Sequence, residues 1–267
     1  MHWVKHSLKR SSLKSDRCEL RLMTSMTTDT FFKGQVRVMQ HRDGYRFSID
    51  AVLLAALAMP HPDATVLDLG TGCGIIPLIL AFRYPKIRVY GVEVQEDLAK
   101  VAKLNVKENG MEDRITIHCG DMKALHHNMV SGPVDVVVSN PPYRKAGSGR
   151  INPNLQRAMA RHEIRATLGD VVDTARKMLQ SSGRFVVIYS AERMVELISH
   201  MQSARLEPKF LRMVHSHREA DAKLIIVEGK KGGLPGIDVG PPLVIYDQDG
   251  AYTDEVERMF KFEFPAA

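Results

Sequence analysis

Short apolar runs alternate with longer helical segments along most of the chain. The pattern predicts strands at 36–39, 66–69, 89–93, 115–119, 134–139, 183–189, 210–215 and 224–228. It predicts helices at 50–58, with Ser48 as N-cap, and at 75–83, 96–109, 168–181 and 191–203. Strands that alternate with helices form a mostly parallel sheet covered by helices on both faces. The last two strands are separated by about eight residues, too few for a helical crossover, so we expect an antiparallel hairpin there.

Composition narrows the class of protein. A chain of 267 residues, 44% hydrophobic, can bury one full core. Its longest apolar stretch, residues 51–59, is far below the roughly 20 residues of a membrane helix. The cysteines Cys18, Cys73 and Cys119 form neither a C-x-x-C pair nor a metal-ligand spacing, which favours a reduced, cytoplasmic setting without a bound metal. We predict a disordered basic tail at 1–26 and a single domain at 27–267.

A glycine-rich turn follows the strand 66–69. Gly70, Gly72 and Gly74 have the spacing G-x-G-x-G, which lets the backbone bend sharply and approach a ligand closely. The spacing differs from the dinucleotide-binding G-x-G-x-x-G. Free N–H groups at the start of the following helix add to this binding surface.

Acidic residues mark the ends of two neighbouring strands. Glu93 ends the strand 89–93, nineteen residues after Gly74, where a carboxylate can accept both hydroxyls of a ribose. Asp121 follows the third strand. Because the carboxyl ends of parallel strands meet at one edge of a sheet, these groups are predicted to share a crevice with the glycine turn.

A rigid polar clamp ends the strand 134–139. Pro141 and Pro142 fix two φ angles and remove two N–H donors, which leaves carbonyl groups available to a ligand. A planar NH₂ group such as the exocyclic amine of adenine could donate to the Asn140 side-chain oxygen and to the Pro141 carbonyl. The Tyr143 ring could then stack on the base.

These motifs resemble those of the Rossmann-like S-adenosylmethionine-dependent methyltransferases. Further blocks, from about Phe31 to about Phe262, narrow the resemblance to the bacterial tRNA (adenine-N6)-methyltransferases, which modify an adenosine beside the anticodon of a valine tRNA. The residues that carry both levels of resemblance are Asp68–Gly74, Glu93, Asp121, Asn140–Tyr143, Gly44–Asp50, Ala160–Glu163 and Leu243–Val256.

The resemblance implies an α/β fold with a seven-stranded, mostly parallel sheet and an antiparallel last strand. It implies S-adenosylmethionine as cofactor, lying across the glycine turn, with its ribose on Glu93, its adenine near Asp121 and its sulfonium towards Asn140. Asp68 belongs to the same cofactor motif. Phe47 and Asp50 are expected to border the cofactor or the base, although packing at a helix start would explain them equally well.

Positive charge is clustered in two segments of a chain whose net charge is +6. The first 25 residues carry six cations against two anions, so little of the charge remains for the domain. Residues 144–165 carry six cations against one anion and begin at the clamp. Such a segment could contact RNA phosphates through Arg144, Lys145, Arg150 and Arg161, or could simply be a solvated helix face.

The expected reaction is methylation of the N6 amine of an adenosine in a single-stranded tRNA loop. Hydrogen bonds from the amine to Asn140 and Pro141 would favour the lone-pair-localised nitrogen that attacks the methyl group. Three alternatives remain: methylation of another planar amine, namely guanine in ribosomal RNA or a protein glutamine; a non-catalytic RNA-binding module that keeps a cofactor pocket; and an NAD-linked dehydrogenase, which the glycine spacing disfavours.

Overall fold

The structure is a computed structural model that describes residues 26–42, 47–142 and 166–261. Its strands are β1 (Met26–Phe31), β2 (Val36–His41), β3 (Thr65–Leu69), β4 (Arg88–Glu93), β5 (Ile115–Cys119), β6 (Val134–Ser139), β7 (Leu179–Ser190), β8 (Leu206–His215), β9 (Ala222–Lys231), β10 (Asp238–Val239) and β11 (Leu243–Val244). Its helices are α1 (Ile49–Leu57), α2 (Ile75–Arg83), α3 (Glu96–Glu108), α4 (Leu168–Met178), α5 (Met194–Ser203) and α6 (Asp254–Lys261).

The central sheet has the strand order β8-β9-β7-β6-β3-β4-β5. Strand β9 runs antiparallel to β7 and β8, whereas the other neighbouring pairs are parallel. The predicted fold class and the predicted terminal hairpin are therefore confirmed. The two-residue strands β10 and β11 add to the outer edge of β8, and such short strands carry no periodicity that a sequence pattern could reveal.

Alternate residues of the sheet face two separate hydrophobic layers. Val66, Val89 and Val136 belong to the layer that includes α1, α2 and α3. Their neighbours Leu67 and Val137 belong to the layer that includes α4 and α5. Both faces of β3 and β6 are buried, so these strands read as continuous apolar runs.

Several predicted boundaries are corrected by the structure. Helix α4 ends at Met178 rather than at 181 because Leu179 is already extended and begins β7. Strand β8 begins at Leu206, and α5 begins at Met194 after a short 3₁₀ turn. Ser48 occupies the N-cap position of α1, but its side chain makes no capping hydrogen bond.

A hairpin of β1 and β2 packs beside the main sheet and is held by two asparagines, one in α3 and one at its C-cap. β1 was not predicted; it pairs antiparallel with β2. The buried Asn105 amide accepts from Met39 N (2.8 Å) and donates to the carbonyls of Met39 (2.8 Å) and Cys73 (2.9 Å). One turn later, Asn109 bonds both backbone groups of Arg37. The side-chain amides of Asn105 and Asn109 thus supply the hydrogen bonds that a second neighbouring strand would give to β2. Asn105 also links β2 to the glycine turn.

Replacement of Asn105 by alanine should therefore destabilise the domain. Three backbone groups would lose their partner, and each unsatisfied buried group costs about 1–3 kcal/mol, so we expect the free energy of unfolding to fall by about 3 kcal/mol or more. Urea denaturation measures this change. Lys107→Ala, on an exposed position of the same helix, is the control. A loss below about 1 kcal/mol for Asn105→Ala would show that water replaces these bonds at little cost.

Candidate active site

The ends of β3, β4 and β6 lie side by side and form one crevice. Leu69 is level with Val92 on one side and with Ser139 on the other. The turn that follows β3 is bonded to the end of β4, since the Gly70 and Thr71 N–H groups both donate to the Val92 carbonyl at 2.9 and 3.0 Å. The structure therefore brings the glycine turn, Glu93 and Asn140 to the same sheet edge.

The glycine turn needs its glycines for two different physical reasons. Gly70, Gly72 and Gly74 have φ angles of 77°, 57° and 85°, in the left-handed region that side chains disfavour. At Gly74, a Cβ atom would also lie 3.2 Å from the Ala102 Cβ, so the turn packs closely on α3. At Gly70, by contrast, a Cβ would meet no described atom within 4 Å, which leaves open space above the turn.

Glu93 is a fixed, buried carboxylate beside this turn. Its side chain accepts from Gly72 N at 3.0 Å and from Gln95 N at 2.8 Å. The residue is 2% exposed. The two bonds hold the carboxylate between the glycine turn and the start of α3, and each oxygen keeps a further lone pair for a ligand.

Asp68 lies directly under the turn with an unsatisfied carboxyl group. It is fully buried, and neither oxygen has a hydrogen-bond partner within the described part of the chain. Its pKa is raised from 3.8 to about 7, mainly by burial; the Thr71 hydroxyl opposes this shift, and the nearby Glu93 charge adds to it. Burial of a carboxylate without a hydrogen-bond partner costs free energy, so this position favours a cationic or hydrogen-donating ligand.

The raised pKa makes the stability of the ligand-free protein depend on pH. The pKa of Asp68 is about 7 in the folded protein and 3.8 in the unfolded chain, so the folded state holds the proton more tightly. The folded state therefore loses stability as the pH rises from about 4 to about 7, and this loss levels off above 7. Asp68→Asn removes this dependence. We expect the variant to gain on the order of 2–3 kcal/mol relative to the parent protein between pH 5 and 7.

Denaturant unfolding of both proteins at several pH values measures this gain. A stability difference that does not change between pH 5 and 7 would mean that Asp68 titrates near its ordinary pKa.

The three other predicted cofactor residues, Asp121, Phe47 and Asp50, have different surroundings. Asp121 follows β5, accepts from Lys123 N at 2.9 Å and remains exposed at the rim, where Gly120 N donates to the Glu93 carbonyl. Asp50 is half-buried in the first turn of α1. Phe47 packs on Phe31, with ring centres 5.6 Å apart, and lines a separate cavity of about 470 Å³ in which no residue of the glycine turn takes part. Packing at the helix start thus accounts for part of the Phe47 environment.

The clamp residues Asn140 and Pro141 directly follow the end of β6, which a side-chain hydrogen bond holds in place. The buried Ser139 hydroxyl donates to the Leu69 carbonyl at 2.8 Å and fixes β6 against β3. Asn140 and Pro142 are half-buried and Pro141 is buried. The tip is therefore accessible to a ligand on part of its surface. The other predicted substrate residues lie outside the described residues: Tyr143, Arg144, Lys145, Arg150 and Arg161.

Two contributors to the site were missed by the sequence analysis. Thr71 has a buried hydroxyl without a hydrogen-bond partner among the described residues, next to Asp68. Asn105 bonds the Cys73 carbonyl and so supports the turn from below. The spacing of the glycines gives no hint of either role. Asn105 occupies one of the otherwise apolar positions of α3, and a polar residue at a buried helix position indicates a hydrogen-bonding role.

Residues 26–42, 47–142 and 166–261 contain no group of three or more His, Cys, Asp or Glu side chains placed to bind a metal ion. Within the same ranges, none of the helices combines the length and apolar character needed to cross a bilayer.

The chain is similar to proteins of one methyltransferase family. The family model described as "Methyltransferase small domain" matches residues 49–211. A tRNA1(Val) (adenine(37)-N6)-methyltransferase of Porphyromonas gingivalis is 32% identical over 243 residues, which are 88% of this chain and 94% of the relative. The enzyme of the same name from Pedobacter heparinus is 29% identical, with coverage of 87% and 96%.

A solved structure supports the fold independently. It is described as a predicted O-methyltransferase from Agrobacterium tumefaciens and superposes with a TM-score of 0.64 at 23% identity, covering 79% of this chain and 94% of the other.

Proposed function

The chain belongs to the methyltransferase family named for tRNA1(Val) (adenine(37)-N6) methylation, and we propose that it methylates the N6 amine of the adenosine at position 37 in this tRNA, with S-adenosylmethionine as the methyl donor. One observation carries the proposal: the Asn140–Pro141 tip of β6 lies at the sheet edge that also holds the glycine turn and Glu93. An amine donor on that tip would therefore be next to a cofactor on the turn.

The residues of the crevice fit S-adenosylmethionine. The unpartnered Asp68 carboxyl suits the positive charge of the cofactor, and the open space at Gly70 leaves room for its close approach. Glu93 would accept the ribose hydroxyls, as its lone pairs allow. Asp121 would lie near the adenine. Phe47 and Asp50 would border the site from the side of α1.

The clamp would activate the substrate by geometry. The N6 amine is a weak nucleophile because its lone pair is delocalised into the purine ring. If its hydrogens are donated to the Asn140 oxygen and the Pro141 carbonyl, the nitrogen is favoured in a pyramidal form with the lone pair localised for attack. The ring geometry of Pro141 and Pro142 keeps these acceptors in place before the substrate arrives.

When bound, S-adenosylmethionine would supply a methyl group already activated by its positively charged sulfur and would leave as S-adenosylhomocysteine. Asn140 and Pro141 would hold the N6 nitrogen towards that methyl group, and the surplus N6 proton would pass to water. The chain's own contribution is orientation of the two partners, which supplies most of the rate gain in such transfers.

The target base must leave its stack to reach the tip, which costs least in a single-stranded RNA loop. We propose that Tyr143 stacks on this base and that Arg144, Lys145, Arg150 and Arg161 contact the flanking phosphates. A tRNA substrate would place the protein in the cytoplasm.

Transfer of radiolabelled methyl groups tests the proposed substrate. The purified protein is incubated with labelled cofactor and total RNA or protein from a strain that lacks this gene, and the labelled product is digested. We expect the label in N6-methyladenosine from tRNA. Label in methylguanine from ribosomal RNA, or in protein glutamine, would refute the proposal.

A further inference from the structure

A second cavity opens beside the clamp, on the side away from the glycine turn. Pro141 and Pro142 form one wall of it, and the remaining lining comes from the start of α4, the end of β7 and the first two turns of α5. In the sheet, β6 lies between β3 and β7. The tip of β6 therefore separates the cofactor crevice from this cavity, and neighbouring strands are only about 4.8 Å apart.

The cavity has one apolar wall and one polar wall. Pro141, Pro142 and Leu168 supply the apolar side. On the opposite side, Arg193 donates to both carboxylate oxygens of Glu196, at 2.9 and 2.7 Å. These two side chains are 18% and 37% exposed, so the pair faces the cavity but is partly shielded from solvent.

The polar wall is rigid. The Arg193 guanidinium lies 5.0 Å from the centre of the buried Tyr189 ring, a cation–π distance that holds it over the ring. The His200 imidazole lies against Gly169, where a Cβ atom would be 3.4 Å from its Cε1. Donor and acceptor positions are thus fixed before any ligand binds.

These properties identify the kind of ligand. The volume of about 280 Å³ lies just under the range of about 300–1,000 Å³ typical of small-molecule pockets, which suits a single planar ring system. Glu196 neutralises Arg193 and would repel an anion, so a phosphate is disfavoured. A neutral heterocycle with donors and acceptors on its edge matches both walls.

We propose that this cavity binds the nucleobase adjacent to the target adenosine in the RNA, which makes Glu196 and His200 specificity residues. The proposal rests on the proposed function, because it places the target base on the Asn140–Pro141 tip. The flanking base, one nucleotide away, reaches over the two prolines into the cavity. The enzyme then recognises the base next to the target adenosine through the cavity, in addition to binding the target base at the tip of β6.

Abasic substitution in the RNA tests this proposal. Three hairpin RNAs are compared: one intact, one abasic at the 5′ neighbour of the target, and one abasic at the 3′ neighbour. For the parent protein, one of the two abasic RNAs should lower kcat/KM by about 10–100-fold, the range expected for loss of one stacked base. Glu196→Ala and His200→Trp, which fills the cavity, should lose activity on intact RNA but be nearly insensitive to that same abasic site.

Glu192→Ala, on the same chain segment but outside the cavity lining, is the matched control and should respond to the abasic site as the parent does. Equal abasic losses in the parent and both cavity variants, or no loss in any protein, would overturn the proposal. Equilibrium binding of the same RNAs, with S-adenosylhomocysteine present, reports on the cavity without methyl transfer. An absence of tRNA methylation would refute the proposed function. The binding comparison of intact and abasic RNAs would still show whether the cavity holds the neighbouring base.

Discussion

Asn140→Ala should lower kcat for tRNA methylation by about 10²–10³-fold, the cost usually found when one oriented catalytic hydrogen-bonding group is removed. The tip of β6 holds the side chain beside the glycine turn, and the Ser139 anchor keeps the strand end in place without it. Cofactor affinity should therefore stay within about threefold of the parent value. Single-turnover kinetics and calorimetric titration with S-adenosylhomocysteine measure the two quantities.

Asn128→Ala provides the control, because this asparagine is exposed in a 3₁₀ turn that precedes β6, whereas the clamp follows the opposite end of that strand. It should leave both quantities unchanged. If Asn140→Ala retained more than about a third of the parent kcat, Asn140 would not orient the amine. If it abolished cofactor binding as well, its role would be in the cofactor crevice instead.

Glu93→Ala should produce the largest loss of cofactor affinity. Two charge-assisted hydrogen bonds to ribose hydroxyls are worth about 1.5–3 kcal/mol each, so we expect Kd for S-adenosylhomocysteine to rise at least 100-fold. The substitution also removes the acceptor of Gly72 N and Gln95 N, which loosens the turn. Calorimetric titration measures the affinity.

Glu96→Ala is the matched control for this variant. Glu96 is exposed three residues further on, where it pairs with Lys100 at 2.8 Å, and its loss should leave Kd unchanged. Glu93→Gln should have an intermediate effect, because the amide can still accept one bond from a hydroxyl. A Glu93→Ala protein that bound the cofactor within threefold of the parent would contradict the assignment of Glu93 to the ribose.

The sheet was predictable because its strands are buried on both faces. Such strands, for example 134–139, read as continuous apolar runs between helices, and the short gap before β9 predicted the antiparallel hairpin. β1 was not predictable in the same way. Its residues 26–31 alternate weakly, and what holds the hairpin is Asn105 and Asn109 on a helix more than 60 residues away.

The crevice was predictable because strand ends converge by topology alone. Gly70 and Asn140 each follow a strand and Glu93 is the last residue of one, so parallel pairing brings them together. The unsatisfied state of Asp68 depends on burial from several directions and has no sequence signature. The cavity beside the clamp likewise depends on how α5 packs against the start of α4, which residue types at 193, 196 and 200 do not reveal.

A crystal structure of the protein with S-adenosylhomocysteine and an RNA hairpin carrying the target adenosine tests the central claim most directly. The distances from the adenine N6 to the Asn140 side-chain oxygen and to the Pro141 carbonyl are the decisive quantities. We predict both at about 3 Å, with N6 facing the cofactor sulfur. An extruded adenine bound elsewhere, or an N6 directed away from both acceptors, would contradict the account.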